Sequence, residues 1–301
     1  MVNLVAAQKP LLHGLMKLAG VTPRAVVVDP ETETVINIWV PTETTLNKKK
    51  PVIVLVHGFA AEGIVTWQFQ VGALTRNYAV YVPDLLFFGG STTSSSDRSP
   101  AFQAQCLIQT LRMLGIERCT VVGFSYGGVV AFKMAEMCGE MVDAMVISGS
   151  IPSLTTVGNA TLKELGFSSS SELLLPETVA GAKALLKIAM HKQIWFPDRL
   201  YADFLQVMFN HRLQRTQLLE ALSINNKDST TLTTLPQRIH LLWGENDAIF
   251  KLEHAANLKE KLGEKASLKY IDKAGHLVHL ERPCVYNRCL KHFLQSFYGP
   301  N

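Results

Sequence analysis

A serine hydroxyl is a poor nucleophile until its backbone presents it and a base takes its proton. One stretch of the 301-residue chain is suited to presenting such a group, namely Val121-Val122-Gly123-Phe124-Ser125-Tyr126-Gly127-Gly128-Val129-Val130. A short β-branched run ends in Gly-x-Ser-x-Gly, and a helical pattern begins at once. That grammar puts Ser125 on a sharp strand-to-helix turn with its Oγ lifted above a sheet. The Tyr126 backbone N–H then falls at a helix N-terminus, where an unpaired donor and the helix dipole favour negative charge. Chance alone yields such a motif in about one chain of this length in ten, so the context decides.

Two later segments supply a base and its partner. Asp247, in Trp243-Gly244-Glu245-Asn246-Asp247, follows a strand-like run, and His276, in Ala274-Gly275-His276, follows the last one. Both are expected in loops at one sheet edge, with His276 as base and Asp247 orienting it. Glu245 and Asp143 are less well placed rivals for the acid, and Asp247 has an alternative use as a helix cap before Leu252. His279 is expected to pack or to face solvent. The run Val56-His57-Gly58-Phe59 ends another strand; its glycine permits a tight turn that aims the Phe59 N–H at a bound oxygen, while His57 is expected to hold structure rather than catalyse.

The elements that must position these groups are short apolar runs without alternation: Val52-Val56, Tyr78-Val82, Cys119-Val122, Val142-Ile147, Ile239-Trp243 and, more weakly, Ser267-Ile271. Such strands are buried on both faces, as in parallel sheets covered by helices. Helical patterns around Ala101-Leu114, Gly128-Met137 and Leu252-Leu262 separate them, and Ala25-Val28 with Val35-Val40 reads as a preceding hairpin. The expectation is an α/β fold with a mostly parallel, doubly wound sheet. Between about Ile151 and Leu235 the alternation stops and the pattern turns helical, with Pro176 and Pro197 as helix starts. Residues 1–150 and 236–301 would then form one core and residues 151–235 an inserted helical cap. Within it, Arg199–Phe209 is apolar over a broad face, and Trp195, Phe204 and Met208 are candidates to line a substrate pocket.

Composition narrows the classes. Hydrophobic residues make up 48% of the chain, charged residues 18%, and the net charge is +4. Lys48-Lys49-Lys50 is the one pure charge run and reads as a solvated loop, so no nucleic-acid partner is expected. The five cysteines show no metal-ligand or paired spacing, which suits free thiols in a reducing, cytoplasmic setting and no bound metal. No apolar run is long enough to cross a bilayer. Residues 1–20 read as an amphipathic helix packed on the core, with contact to a membrane surface as the alternative.

Taken together, His57-Gly58-Phe59, Pro83-Asp84-Leu85, Gly123-Phe124-Ser125-Tyr126-Gly127-Gly128, Gly244-Glu245-Asn246-Asp247 and Gly275-His276 followed by Glu281 and Pro283 resemble the α/β-hydrolase superfamily. The likeness is to its monoacylglycerol-lipase, meta-cleavage-product-hydrolase and cofactor-free haloperoxidase branches. It implies an α/β-hydrolase fold and a Ser125, Asp247, His276 triad, with the Phe59 and Tyr126 amides as oxyanion donors and no cofactor. It further implies a serine hydrolase that cleaves a small-molecule ester or acyl lipid with a hydrophobic acyl part through an acyl-enzyme. Carbon–carbon bond hydrolysis, acyl transfer and a triad-retaining ligand receptor are the alternatives; oligomeric state stays open. Epoxide hydrolases and haloalkane dehalogenases of the superfamily carry an aspartate where Ser125 stands. Leu85-Leu86-Phe87-Phe88 replaces a polar run of these families, and reads either as an apolar entrance or partner surface or as buried packing.

Overall fold

Strands that are apolar at every position need cover on both faces, and the chain supplies it. The computed structural model describes residues 2–42, 50–152, 158–224 and 235–299; Lys48 and Lys49 lie outside them. The elements are α1 (Leu4–Leu18), β1 (Val21–Asp29), β2 (Thr34–Pro41), β3 (Val52–Val56), α2 (Gly63–Thr66), α3 (Gln68–Leu74), β4 (Ala79–Pro83), α4 (Pro100–Met113), β5 (Cys119–Phe124), α5 (Tyr126–Met137) and β6 (Val142–Ser148). Then come α6 (Gly158–Glu164), α7 (Ser170–Leu174), α8 (Val179–Ala189), α9 (Asp198–Met208), α10 (Arg212–Ile224), β7 (Arg238–Gly244), α11 (Leu252–Leu262), β8 (Ala266–Ile271), α12 (Val278–Glu281) and α13 (Pro283–Tyr298).

The eight strands form one sheet in the order β1-β2-β4-β3-β5-β6-β7-β8. The β1–β2 hairpin joins antiparallel to β4, and every other pairing is parallel. The side-chain period of two sorts each strand between two cores. In β3, Val54 and Val56 join the core with α4, α5 and α11, while Ile53 and Leu55 join the core with α1, α3 and α13. Strand order reverses at β3, which has β4 on one side and β5 on the other, and ligands of such sheets bind outside the carboxyl ends of the strands at this point. His57–Phe59 and Ser125 both sit there.

The helices α6 to α10 occupy the interval that reads as helical in sequence. Pro197 does precede α9, but α8 is capped by Thr178, whose side chain accepts the Gly181 N–H; Pro176 stands two residues further back. α9 is not apolar across its buried side: Asp203 is buried there because its carboxylate accepts the Leu4 N–H at 2.8 Å and so docks α1. The Leu85–Phe88 loop is no entrance or partner surface. All four side chains are buried, and Arg215 of α10 reaches them, its Nε donating to the Phe87 carbonyl at 2.9 Å and its guanidinium lying 4.1 Å from the Phe88 ring centroid. Cys106, Cys119 and Cys138 are buried and all five thiols are free; burial pushes Cys106 up to about 12. Among the described residues no helix is long and apolar enough to cross a membrane, and no cluster of three or more His, Cys, Asp or Glu side chains could hold a metal.

Candidate active site

Ser125 stands between β5 and α5 with φ 52° and ψ −121°, a backbone that L residues rarely adopt and that costs on the order of 1–3 kcal/mol. Its N–H is fixed by the Ser148 carbonyl of the next strand at 2.9 Å, and its carbonyl accepts the Gly128 N–H at 2.8 Å. The following turn leaves no room for a side chain at Gly127, where a Cβ would collide with the carbonyl oxygens of Val56 and His57. The start of α5 is therefore pressed directly on the end of β3, and two loops far apart in the sequence are in contact.

On the β3 side, His57 Nε2 accepts the Leu85 N–H at 2.9 Å, which leaves the proton on Nδ1 to donate to the Gly58 carbonyl at 2.6 Å. Burial holds its pKa down to about 4, so it is a neutral brace, as expected for a structural role. The buried Phe59 ring packs edge-on between Phe88 at 5.3 Å and Tyr126 at 5.8 Å. The Phe59 and Tyr126 side chains are thereby in contact, and a Cβ on Gly58 would lie 3.2 Å from the Ser125 Cβ.

Asp247 and His276 meet. Asp247 Oδ2 accepts His276 Nδ1–H at 2.9 Å, with 1% and 7% of the two side chains exposed. The other oxygen, Oδ1, accepts the Ile249 and Phe250 N–H groups at 2.9 and 2.8 Å, so the carboxylate caps its own turn while α11 begins later, after Lys251. A proton on Nδ1 leaves the Nε2 lone pair of His276 available. The imidazole packs against Phe124, the residue before Ser125, at 4.8 Å and against Phe250 at 5.7 Å. Among the described residues no hydrogen bond joins Ser125 to His276, whose ring bonds to Asp247. The rivals are engaged elsewhere or exposed: Asp143 pairs with Arg118, and Glu245 projects to solvent.

His279 is fully buried between Trp67 (5.0 Å) and Phe124 (4.4 Å), and neither ring nitrogen has a partner. Burial, with His276 adding to it, holds its pKa down to about 3. Of the pocket candidates, Met208 is buried and Phe204 part-buried beside Phe209, but Trp195 is 80% exposed on the outer surface.

One residue that the sequence offered only as motif spacing proves central to the His276 loop. The Glu281 carboxylate accepts N–H groups from Gly275 at 2.6 Å, Lys192 at 2.9 Å and His191 at 3.1 Å, and the Leu277 N–H reaches the Ala189 carbonyl at 3.0 Å. A Cβ on Gly275 would sit 2.7 Å from the His191 nitrogen. The loop holding His276 is thus bolted to the end of α8.

A family model described as alpha/beta hydrolase fold matches residues 51–283. The chain is 24% identical to epoxide hydrolase 3 of Xenopus tropicalis, over 83% of this chain and 73% of that protein. It is likewise 24% identical to the monoacylglycerol lipase ABHD6 of Rattus norvegicus, over 84% and 77%. The solved meta-cleavage product hydrolase of Pseudomonas fluorescens IP01 superposes with a TM-score of 0.74 at 19% identity, covering 93% of this chain and 99% of that one.

Two outcomes follow from this geometry. His57 and His279 are neutral in the folded chain, whereas unfolded histidine titrates at 6.5. The unfolded chain therefore takes up protons that the folded chain refuses. This costs the fold nothing above pH 6.5 and destabilises it as pH falls toward about 4 for His57 and about 3 for His279, by about 3 kcal/mol for the first and about 5 kcal/mol for the second. His279→Leu should flatten that acid loss in urea melts taken from neutral to mildly acid pH; an unchanged slope would mean His279 is not held neutral. In Glu281→Ala, hydrogen exchange at the Gly275, His191 and Lys192 amides should rise about tenfold or more while α13 stays protected; unaltered exchange would mean the bolt is not closed in solution.

Proposed function

This chain belongs to the α/β-hydrolase fold family, and on that footing we propose that it is a serine hydrolase of carboxylic esters with a hydrophobic acyl part. The observation that carries the reading is the buried Asp247–His276 hydrogen bond at 2.9 Å, beside a serine held at positive φ. In this mechanism His276 Nε2 takes the Ser125 proton as Oγ attacks the ester carbonyl. Asp247 fixes the tautomer and stabilises the imidazolium that forms. The Phe59 and Tyr126 amides hold the oxyanion, the larger share of whose stabilisation comes from donors already in place. His276 then protonates the departing alcohol, and a water activated by the same imidazole clears the acyl-enzyme.

The helices α6 to α10 serve in this reading as a cap over the carboxyl edge of the sheet, joined to the core through Arg215 and Glu281. The apolar character of the acyl part is supported by the aromatic surroundings of the turn, among them Phe59, Phe124 and Phe250. Small-molecule esters or acyl lipids are the substrate class. Similarity to an epoxide hydrolase does not transfer that activity, because the residue at the turn is Ser125 rather than a carboxylate. Likeness to a meta-cleavage product hydrolase favours carbon–carbon bond hydrolysis as the second reading on the same three residues.

A fluorophosphonate probe should label the wild-type chain and spare Ser125→Ala. With p-nitrophenyl esters of graded chain length, Ser125→Ala and His276→Ala should each lose on the order of 10⁴–10⁶ in kcat, and Asp247→Ala less. Absence of labelling on the folded wild type overturns the reading. Labelling accompanied by cleavage of a vinylogous diketone and not of any ester replaces it with the second one.

A further inference from the structure

The α1 helix is apolar on two sides. Met16 is buried and Val5 and Leu12 pack on the core, yet Leu4, Leu11, Leu15 and Leu18 are 45%, 67%, 50% and 86% exposed. Their spacing of seven, four and three places them along one face of a 3.6-residue helix. The start of α1 is tied to α9: the Val2 carbonyl accepts from Arg199 at 2.6 Å and the Leu4 N–H donates to Asp203. Just ahead of α9, which begins at Asp198, Ile194 and Trp195 are 41% and 80% exposed. They border a shallow groove of about 310 Å³ whose lining includes Lys183, Lys187, Lys192 and Tyr201.

Charge is distributed with these apolar groups. Residues 2–24 carry Lys9, Lys17 and Arg24, residues 179–196 carry Lys183, Lys187 and Lys192, and neither segment has an acid. Those six cations compare with a net charge of +4 for the whole chain. Lys9 is engaged by Glu62 and Lys183 by Asp198, while the side chains of Lys17, Lys187 and Lys192 stand exposed. An exposed leucine row, a projecting tryptophan and a surplus of lysine are the combination that settles in the headgroup layer of a bilayer. Lysine stems lie along the apolar zone while their ammonium groups meet lipid phosphates. A second copy of this chain fits less well, because the same cation-rich surface would face itself.

We propose that the outer face of α1 and the segment Lys187–Trp195 form a surface that binds anionic phospholipid bilayers and rests the protein on the membrane without crossing it. This surface is independent of the chemistry at Ser125, so its failure and that of the proposed hydrolase are read separately.

The test uses the purified full chain with phosphatidylcholine vesicles, alone or with about 30% phosphatidylglycerol. Co-sedimentation with the anionic vesicles should be at least about tenfold stronger than with neutral ones and should weaken as salt shortens the screening length. Trp39, Trp67 and Trp243 are buried, so quenching by lipids brominated in the acyl chain reports on Trp195 and should accompany binding. Leu11→Glu/Leu15→Glu should lower vesicle binding about tenfold or more and leave hydrolysis of a water-soluble ester unchanged. No sedimentation with anionic vesicles, no quenching, or binding indifferent to Leu11→Glu/Leu15→Glu overturns the proposal. Self-association in sedimentation velocity without vesicle binding assigns the face to a second copy instead.

Discussion

The backbone of one residue sets the terms for the rest of the site. Ser125 at φ 52° and ψ −121° stays there because the surroundings over-determine it. Its N–H is bound to β6, and α5 starts immediately after it in a helix whose first turn abuts the carbonyls of Val56 and His57. β5 is central in the sheet and buried at all six positions, so its end has little freedom to relax. Fold stability and site geometry thus share one set of contacts, and the strain at Ser125 is offset by the packing of β5 and α5.

Three histidines around this turn show how environment assigns roles to one side chain. His57 has a backbone donor on one nitrogen and a backbone acceptor on the other, and neither is free. The His279 ring has no hydrogen-bond partner and lies among Trp67, Phe124 and Tyr286, where carrying charge would be costly. Only His276 meets a buried carboxylate on Nδ1 while keeping Nε2 free of the fold's own hydrogen bonds. Glu281 then connects that imidazole to the helices above the sheet through Gly275, His191 and Lys192. A displacement of α8 would be felt at His276.

The sheet was legible because its signal is local. Apolar runs without alternation can only be buried on both faces, and β3 begins and ends with the apolar run Val52–Val56 itself. The placement of Ser125, Asp247 and His276 was legible for a related reason: each follows the end of a strand, and the carboxyl ends of parallel strands share one edge. What escaped depends on partners far away in sequence. Arg199–Phe209 read as apolar over a broad face, and the burial of Asp203 within it is explained only by the Leu4 N–H it accepts. Leu85–Phe88 offered two readings, and the choice between them rests on Arg215, 128 residues from Phe87. Pro176 gave a helix-start signal, yet Thr178 had the side chain able to cap. Trp195 carried the apolar character of a pocket residue, and no local pattern says which way a ring at a helix approach will point.

The most direct test of the account is a rapid-mixing experiment with a p-nitrophenyl ester, followed by acid quench and peptide mass mapping. The expected result is a burst of p-nitrophenolate stoichiometric with the chain and an added acyl mass on the peptide that contains Ser125. Steady turnover with no adduct on that peptide, or an adduct on any other residue, would contradict it.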